Sequence, residues 1–218
     1  MNIYLIAIAS LVFAYLMGSI NFAVIISSLF MKKDVRSMGS GNAGATNVLR
    51  NGGVLPGVLT FLLDALKGFV ACYVGKMAFE YIEKNSDFWW SKAVYGIFAC
   101  GLLCMIGHVL PIFFQFKGGK GVATSVGIFL VCSPISIGLG LVVFAILVIA
   151  SRMVSLASII ATLVVVSFTI ILYDAESSII PVVVLTLMMG FIVIFKHRSN
   201  IKRILNGTES KFGKGGKK

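Results

Sequence analysis

Charge is what this chain has least of. Asp, Glu, Lys and Arg make up 12% of its 218 residues, against about 25% in soluble domains. A water-soluble globular domain is excluded on that ground. Disorder is excluded too, because 58% of the residues are hydrophobic and mean hydropathy is +1.00. Acidic residues are scarcer than basic ones: 8 Asp+Glu face 19 Lys+Arg, a net charge of +11. The four cysteines, Cys72, Cys100, Cys104 and Cys132, sit in apolar runs and none forms C-x-x-C. They read as small hydrophobic fillers rather than a metal or redox site. The two histidines, His108 and His197, are too few and too far apart in sequence to suggest a metal cluster. A basic leader is also missing. Met1 and Asn2 enter an apolar run directly, and Lys32-Lys33 follow it, so a retained spanning helix is expected rather than a cleaved signal peptide.

What the chain has is long apolar runs. A spanning helix needs about 20 apolar residues. Runs cover residues 3–30, 54–81, 93–116, 122–132, 134–150, 153–173 and 179–195. Ser133-Pro134 separates the fourth from the fifth, because the residue before proline avoids helical geometry. The fourth is too short to span alone unless it is tilted, extended or lines a protein-filled site. The predicted fold is an all-α membrane protein, a polytopic bundle of seven transmembrane helices. A single domain over residues 1–218 is expected, with a flexible basic tail from about residue 207. With the N-terminus outside, 15 of the 19 basic residues fall in inner segments, as the positive-inside rule requires. The C-terminus is then cytoplasmic, and its basic tail is expected to touch anionic lipid. No repeat of 20–50 residues is visible, which argues weakly against a transporter.

Three inner segments hold nearly all the unusual residues. The first runs over residues 36–50 and contains Gly39, Ser40, Gly41, Asn42, Gly44, Thr46, Asn47 and Arg50. Its glycines match G-x-G-x-x-G, but no strand precedes them, so a dinucleotide site is a poor reading. Closely spaced glycines do let backbone N–H groups converge on one anion. Arg50 adds a fork that fits two phosphate oxygens. A polar loop with a helix cap near Thr46 or Asn47 is the plainer reading, yet a cap needs one residue and leaves the rest unexplained. The second segment is Lys117-Gly118-Gly119-Lys120-Gly121 before a helix start. An anion site at a helix N-terminus and a tight turn with a topology-setting lysine fit it equally well. The third runs from Lys196 through His197, Arg198 and Asn200 to Arg203, with Gly207 and Glu209 beyond. His197 and Asn200 share a face if the helix continues. His108, before Pro111, reads as a packed residue. Asp64 and Lys67, inside the second run, fit structural pairing and a substrate role equally.

Together these segments resemble one family, the bacterial acyl-phosphate:glycerol-3-phosphate acyltransferases of the PlsY type. The resemblance rests on residues 39–50, on Gly118–Gly121, on residues 197–203 with Gly207-Thr208-Glu209, and on Gly18-Ser19-Ile20-Asn21. It covers the whole chain. It implies transfer of a fatty acyl group from acyl phosphate to the 1-hydroxyl of sn-glycerol 3-phosphate, giving lysophosphatidic acid and phosphate. This is the first acylation of bacterial phospholipid synthesis, at the inner face of the cytoplasmic membrane. By the same resemblance, Ser40 with Gly39, Gly41 and Gly44 holds the donor phosphate. Arg50, Lys120, His197 and Asn200 hold glycerol 3-phosphate, and Asn42, Thr46 and Asn47 shape the pocket. Gly118, Gly119 and Gly121 form a second phosphate loop. No cofactor, metal, coenzyme A or nucleic acid is implied. The implied partners are membrane lipids and an enzyme that forms acyl phosphate, and a monomer is expected. The H-x-x-x-x-D motif of thioester-using acyltransferases is absent: Lys202 stands five residues after His197 and Phe113 five after His108. A transporter for a phosphorylated anion and a lipid-binding scaffold remain the competing readings.

Overall fold

A computed structural model describes residues 2–173 and 179–212 of the chain. Among the described residues the regular structure is entirely helical: α1 (Ile3–Ser19), α2 (Phe22–Met31), α3 (Ala45–Gly52), α4 (Val54–Lys84), α5 (Ala93–Val109), α6 (Val122–Cys132), α7 (Pro134–Ser151), α8 (Val154–Ile171), α9 (Ile179–Lys196) and α10 (Arg198–Leu205). Among the described residues, six stretches are long and apolar enough to cross a bilayer: Ile3–Met31, Val54–Lys84, Ala93–Phe114, Pro134–Ser151, Val154–Ile171 and Ile179–Lys196. The seventh expected span falls short. Helix α6 has 11 residues, about 16 Å at ~1.5 Å per residue, roughly half the ~30 Å hydrocarbon layer. The connection expected at residues 174–178 lies outside the described residues.

The packing inverts that of a soluble protein. Leu5, Ile8, Ile146, Ile149 and Phe191 are exposed, whereas Ser19, Asn21, Thr60, Asp64 and Lys67 are buried. Apolar side chains from α5, α6 and α9, among them Phe98, Met105, Ile128, Phe129 and Met189, form the largest buried cluster. Helices α4 and α6 approach closely because of Gly127, whose missing Cβ would overlap the Ala65 carbonyl.

Three expected elements differ in detail. The first run is two helices, not one. Ile20 is extended, and Asn21 caps α2 by accepting a hydrogen bond from the Val24 amide at 3.3 Å. The segment expected as a loop before Val54 is partly helical. It holds a 3-10 turn, Val35–Ser37, and α3, so Thr46, Asn47 and Arg50 stand on a helix. That helix starts from Gly44, whose carbonyl accepts from the Asn47 and Val48 amides. Neither Thr46 nor Asn47 is its cap. The third run ends as a helix at Val109, where Leu110 turns away ahead of Pro111 and a 3-10 turn, Ile112–Phe114, follows.

Adding bulk at the α4–α6 contact tests this packing. Gly127→Val should cost about 1–3 kcal/mol through overpacking. It should be read as a lower thermal midpoint of the detergent-solubilised protein, and an unchanged midpoint would mean that α4 and α6 do not touch there.

Candidate active site

One end of the bundle encloses a polar cavity of about 810 Å³. At four places along its wall a helix begins. Gly44, Ala45 and Thr46 open α3, Gly121, Val122 and Ala123 open α6, Val154 and Ser155 open α8, and His197 precedes α10. None of these four helices has a side-chain cap on its N-terminus. Their first N–H groups and dipoles are left for an anion. Arg50, Lys120, Arg203 and Lys211 add cations to the same wall.

The first glycine segment is held by Asn47. Its amide nitrogen reaches the carbonyls of Val35, Met38 and Asn42 at 3.0, 3.0 and 3.1 Å. Its carbonyl oxygen accepts from the Ser40 amide at 3.2 Å and from Asn51 Nδ2 at 3.0 Å. The hydrogen-bonding capacity of Asn47 is therefore spent on shaping the loop. Gly39 has a left-handed φ of +53°, and a Cβ there would press on Asn47 and Asn51. Arg36 closes the segment from behind. It pairs with Asp34 at 2.7 Å and donates to the Phe114 carbonyl at 3.0 Å. Ser40 and Arg50 stand exposed on the cavity side.

Lys120 and His197 have distinct electrostatic states. Lys120 donates to Asn200 Oδ1. Burial, with Arg203, Arg50 and Lys196 nearby, pulls its pKa down to about 8 against the opposing pull of Glu209. Burial lowers His197 to about 4, with Lys120 adding to the effect and the Val193 carbonyl opposing it. That carbonyl lies 2.8 Å from Nδ1, so Nδ1 carries the ring proton and Nε2 is left as the basic nitrogen. Glu209 joins the third segment together. Its Oε1 accepts from Ser155 and Asn200 and its Oε2 from Arg203, each at 2.7 Å. Burial would raise its pKa, but these three donors hold it below the ordinary carboxylate value. Of the expected flexible tail, residues 207–212 fold back over the cavity: Arg50 Nη2 donates to the Ser210 carbonyl at 3.4 Å and the Phe212 amide to the Arg152 carbonyl at 2.6 Å. Residues 213–218 lie outside the described residues.

The structure thus brings the three sequence segments to one place. Gly39, Ser40, Asn42, Gly44, Thr46, Asn47, Arg50, Lys120, Gly121, His197 and Asn200 line the cavity. Gly41, Gly118 and Gly119 do not; Gly118 and Gly119 pack on His108 behind the loop. Among the described residues no three His, Cys, Asp or Glu side chains are grouped to hold a metal ion.

A family model described as glycerol-3-phosphate acyltransferase matches residues 8–207. The chain belongs to the glycerol-3-phosphate acyltransferase family of the PlsY type. It is 41% identical over 211 residues to a glycerol-3-phosphate acyltransferase of Finegoldia magna, covering 97% of this chain and 98% of that one. It is 40% identical over 204 residues to glycerol-3-phosphate acyltransferase 2 of Bacillus anthracis, covering 94% and 98%. The crystal structure of PlsY, an integral membrane glycerol 3-phosphate acyltransferase in its glycerol 3-phosphate form, superposes with a TM-score of 0.81. It is 38% identical and covers 95% of this chain and 96% of its own. The lysophosphatidic acid form of PlsY gives 0.78 at 38% identity.

Membership in the PlsY family sets the sequence reading in context. Among the cavity residues, Ser155, His108 and Glu209 were given no binding role by the sequence, and Asp64 was left open between structural pairing and a substrate role. Ser155 had no local signal, being one serine at the start of an apolar run. Glu209 did have one, as the only acidic residue in the basic stretch after α9. His108 is packed, as expected, and is also one of the residues lining the cavity.

The state of Lys120 predicts a pH profile. A group whose pKa is lowered to about 8 loses its charge as pH rises through that value. The kcat/KM for a phosphate-bearing substrate should therefore fall above about pH 8. In Lys120→Arg, where the guanidinium stays charged, this alkaline limb should disappear, even if absolute activity drops. An identical limb in both proteins would assign it to another group.

Proposed function

We propose that this acyltransferase takes its acyl group from an acyl phosphate and passes it to the 1-hydroxyl of sn-glycerol 3-phosphate inside the polar cavity, releasing lysophosphatidic acid and inorganic phosphate. One observation carries the reading. The cationic cavity with four helix N-termini adjoins an apolar crevice between α6, α7, α8 and α9, and Val122, Phe144 and Ser158 line both. A phosphate group and an acyl chain on one molecule fit those two surfaces. The uncapped start of α3 with Ser40 suits the donor phosphate, and Arg50, Lys120 and Asn200 suit the glycerol 3-phosphate dianion.

The chemistry needs no enzyme nucleophile. Acyl phosphate is an activated acid derivative with phosphate as leaving group. The substrate hydroxyl oxygen attacks the acyl carbon, the bond from that carbon to the phosphate oxygen breaks, and the hydroxyl proton leaves. Two groups can accept it: the substrate's own phosphate, and His197 Nε2, whose ring is neutral with its proton on Nδ1 but which burial weakens as a base, to about 4. The departing phosphate carries the negative charge to the cations and helix N-termini that already face it. The same reading gives seven passes, with α6 as a short, protein-buried one, and puts the cavity end of the bundle on the cytoplasmic side. The concentration of basic residues at that end supports it.

A carrier for phosphorylated anions needs polar groups on both halves of a pathway near mid-membrane. Here the cations of the cavity gather at one end of the bundle, which favours the enzyme. Purified protein with labelled glycerol 3-phosphate and synthetic palmitoyl phosphate should form lysophosphatidic acid, and palmitoyl-coenzyme A should not replace the donor. Product with coenzyme A thioester alone would overturn the choice of donor. With both substrates saturating, His197→Ala should lose about 10²–10⁴-fold in turnover; turnover near wild type would remove the base role and leave orientation.

A further inference from the structure

We propose that His108 is an additional phosphate-binding residue of this site. Its Nε2–H, fixed as a donor by Lys67, meets a phosphate oxygen of one of the two substrates where the two glycine segments join. The proposal deepens the reaction assigned above and rests on it.

The tautomer follows from counting donors. The Lys67 ammonium has three protons and three acceptors around it. These are the Ile20 carbonyl at 2.7 Å, Asp64 Oδ1 at 2.7 Å and His108 Nδ1 at 3.0 Å. An ammonium has no lone pair, so Nδ1 must supply its own. The ring proton is then on Nε2. The Asp64 carboxylate offsets the ammonium charge, which leaves the imidazole a neutral donor.

Position gives that donor its use. His108 is 4% exposed, yet it is one of the residues that line the cavity. Nε2 lies directly against Gly119, where a Cβ would overlap it, and that same Cβ would also press on the Ala43 carbonyl. The ring tip therefore sits where Ala43 of the first segment and Gly119 of the second meet. Nε2 has no hydrogen-bond partner among the described residues. Unpaired among these residues, this donor is free to meet a ligand oxygen. The His108 main-chain carbonyl accepts from the Gly119 amide at 3.2 Å. That bond survives any side-chain change, so substitutions isolate the ring.

The test uses the full chain in detergent as wild type, His108→Asn and His108→Gln. Asparagine keeps an acceptor for Lys67 but stops short of the Nε2 position, whereas glutamine carries an amide N–H to it. Glycerol 3-phosphate and palmitoyl phosphate are varied separately. In His108→Asn one of the two KM values should rise about ten- to hundredfold, with kcat within about threefold and the thermal midpoint unchanged. The substrate whose KM moves identifies which phosphate the ring holds. His108→Gln should recover most of the loss. Calorimetric titration of inorganic phosphate into the three proteins reads the contact without turnover and should rank them in the same order. Unchanged KM values, or a fall in kcat alone, overturn the proposal, as do equal phosphate affinities. If His108→Asn melts early, His108→Gln decides: near-wild-type phosphate affinity supports the proposal and its loss overturns it. A wild type that binds phosphate but makes no lysophosphatidic acid would count against the assigned reaction and not against this contact.

Discussion

A bilayer offers no water to unpaired backbone groups, so any break in a spanning helix must find its partners within the protein. This chain breaks its helices only where it can meet that demand. At Ile20 the freed carbonyl accepts a hydrogen bond from Lys67. At Leu110 the carbonyl accepts from the Tyr15 hydroxyl at 3.1 Å, and the Ile112 amide turns to Ser19 at 3.4 Å. At Gly119 the amide turns to the His108 carbonyl. These bonds link α1, α4 and α5 into one frame, and the glycine segments are built on it. The Asp64–Lys67 pair, buried in the second span, belongs to that frame and also reaches the cavity wall.

The frame then permits an arrangement that would be unfavourable alone. Arg50, Lys120 and Arg203 share one cavity with four helix N-termini. Burial chiefly, with the neighbouring cations adding to it, brings Lys120 down to about 8. Glu209 relieves part of the repulsion and ties Ser155, Asn200 and Arg203 together. What remains is an excess of positive potential that a phosphate dianion completes. His197 is neutral in this cluster, with its lone pair on Nε2.

Much of this was legible in the sequence. Apolar run length gave nearly every helix, with Val122–Cys132 matching to the residue, because hydrophobic length is a one-dimensional property. Sidedness grouped the three glycine-basic segments, and the cavity contains all three. What was not legible depends on a neighbouring helix. The break at Ile20 sits in an unbroken apolar run, and its stabilising group, Lys67, is 47 residues away. Helix α3 was hidden because Thr46 and Asn47 resemble caps or loop residues, while Asn47 in fact turns inward to hold three carbonyls. Whether the 11-residue run of α6 counts as a span is not legible from its length, because that depends on its packing against α4. His108 was taken as packing because no pattern within α5 shows that its ring faces Gly119.

The central claim is that one cavity holds substrate phosphate through cations on α3 and on the loop before α6. Calorimetric titration of glycerol 3-phosphate into purified wild type, Arg50→Ala and Lys120→Ala tests it most directly. Each substitution should weaken binding by about tenfold or more, as expected for a lost charge-assisted contact, while glycerol should bind to none of the three. Equal affinity in all three proteins would place the phosphate elsewhere and contradict the account.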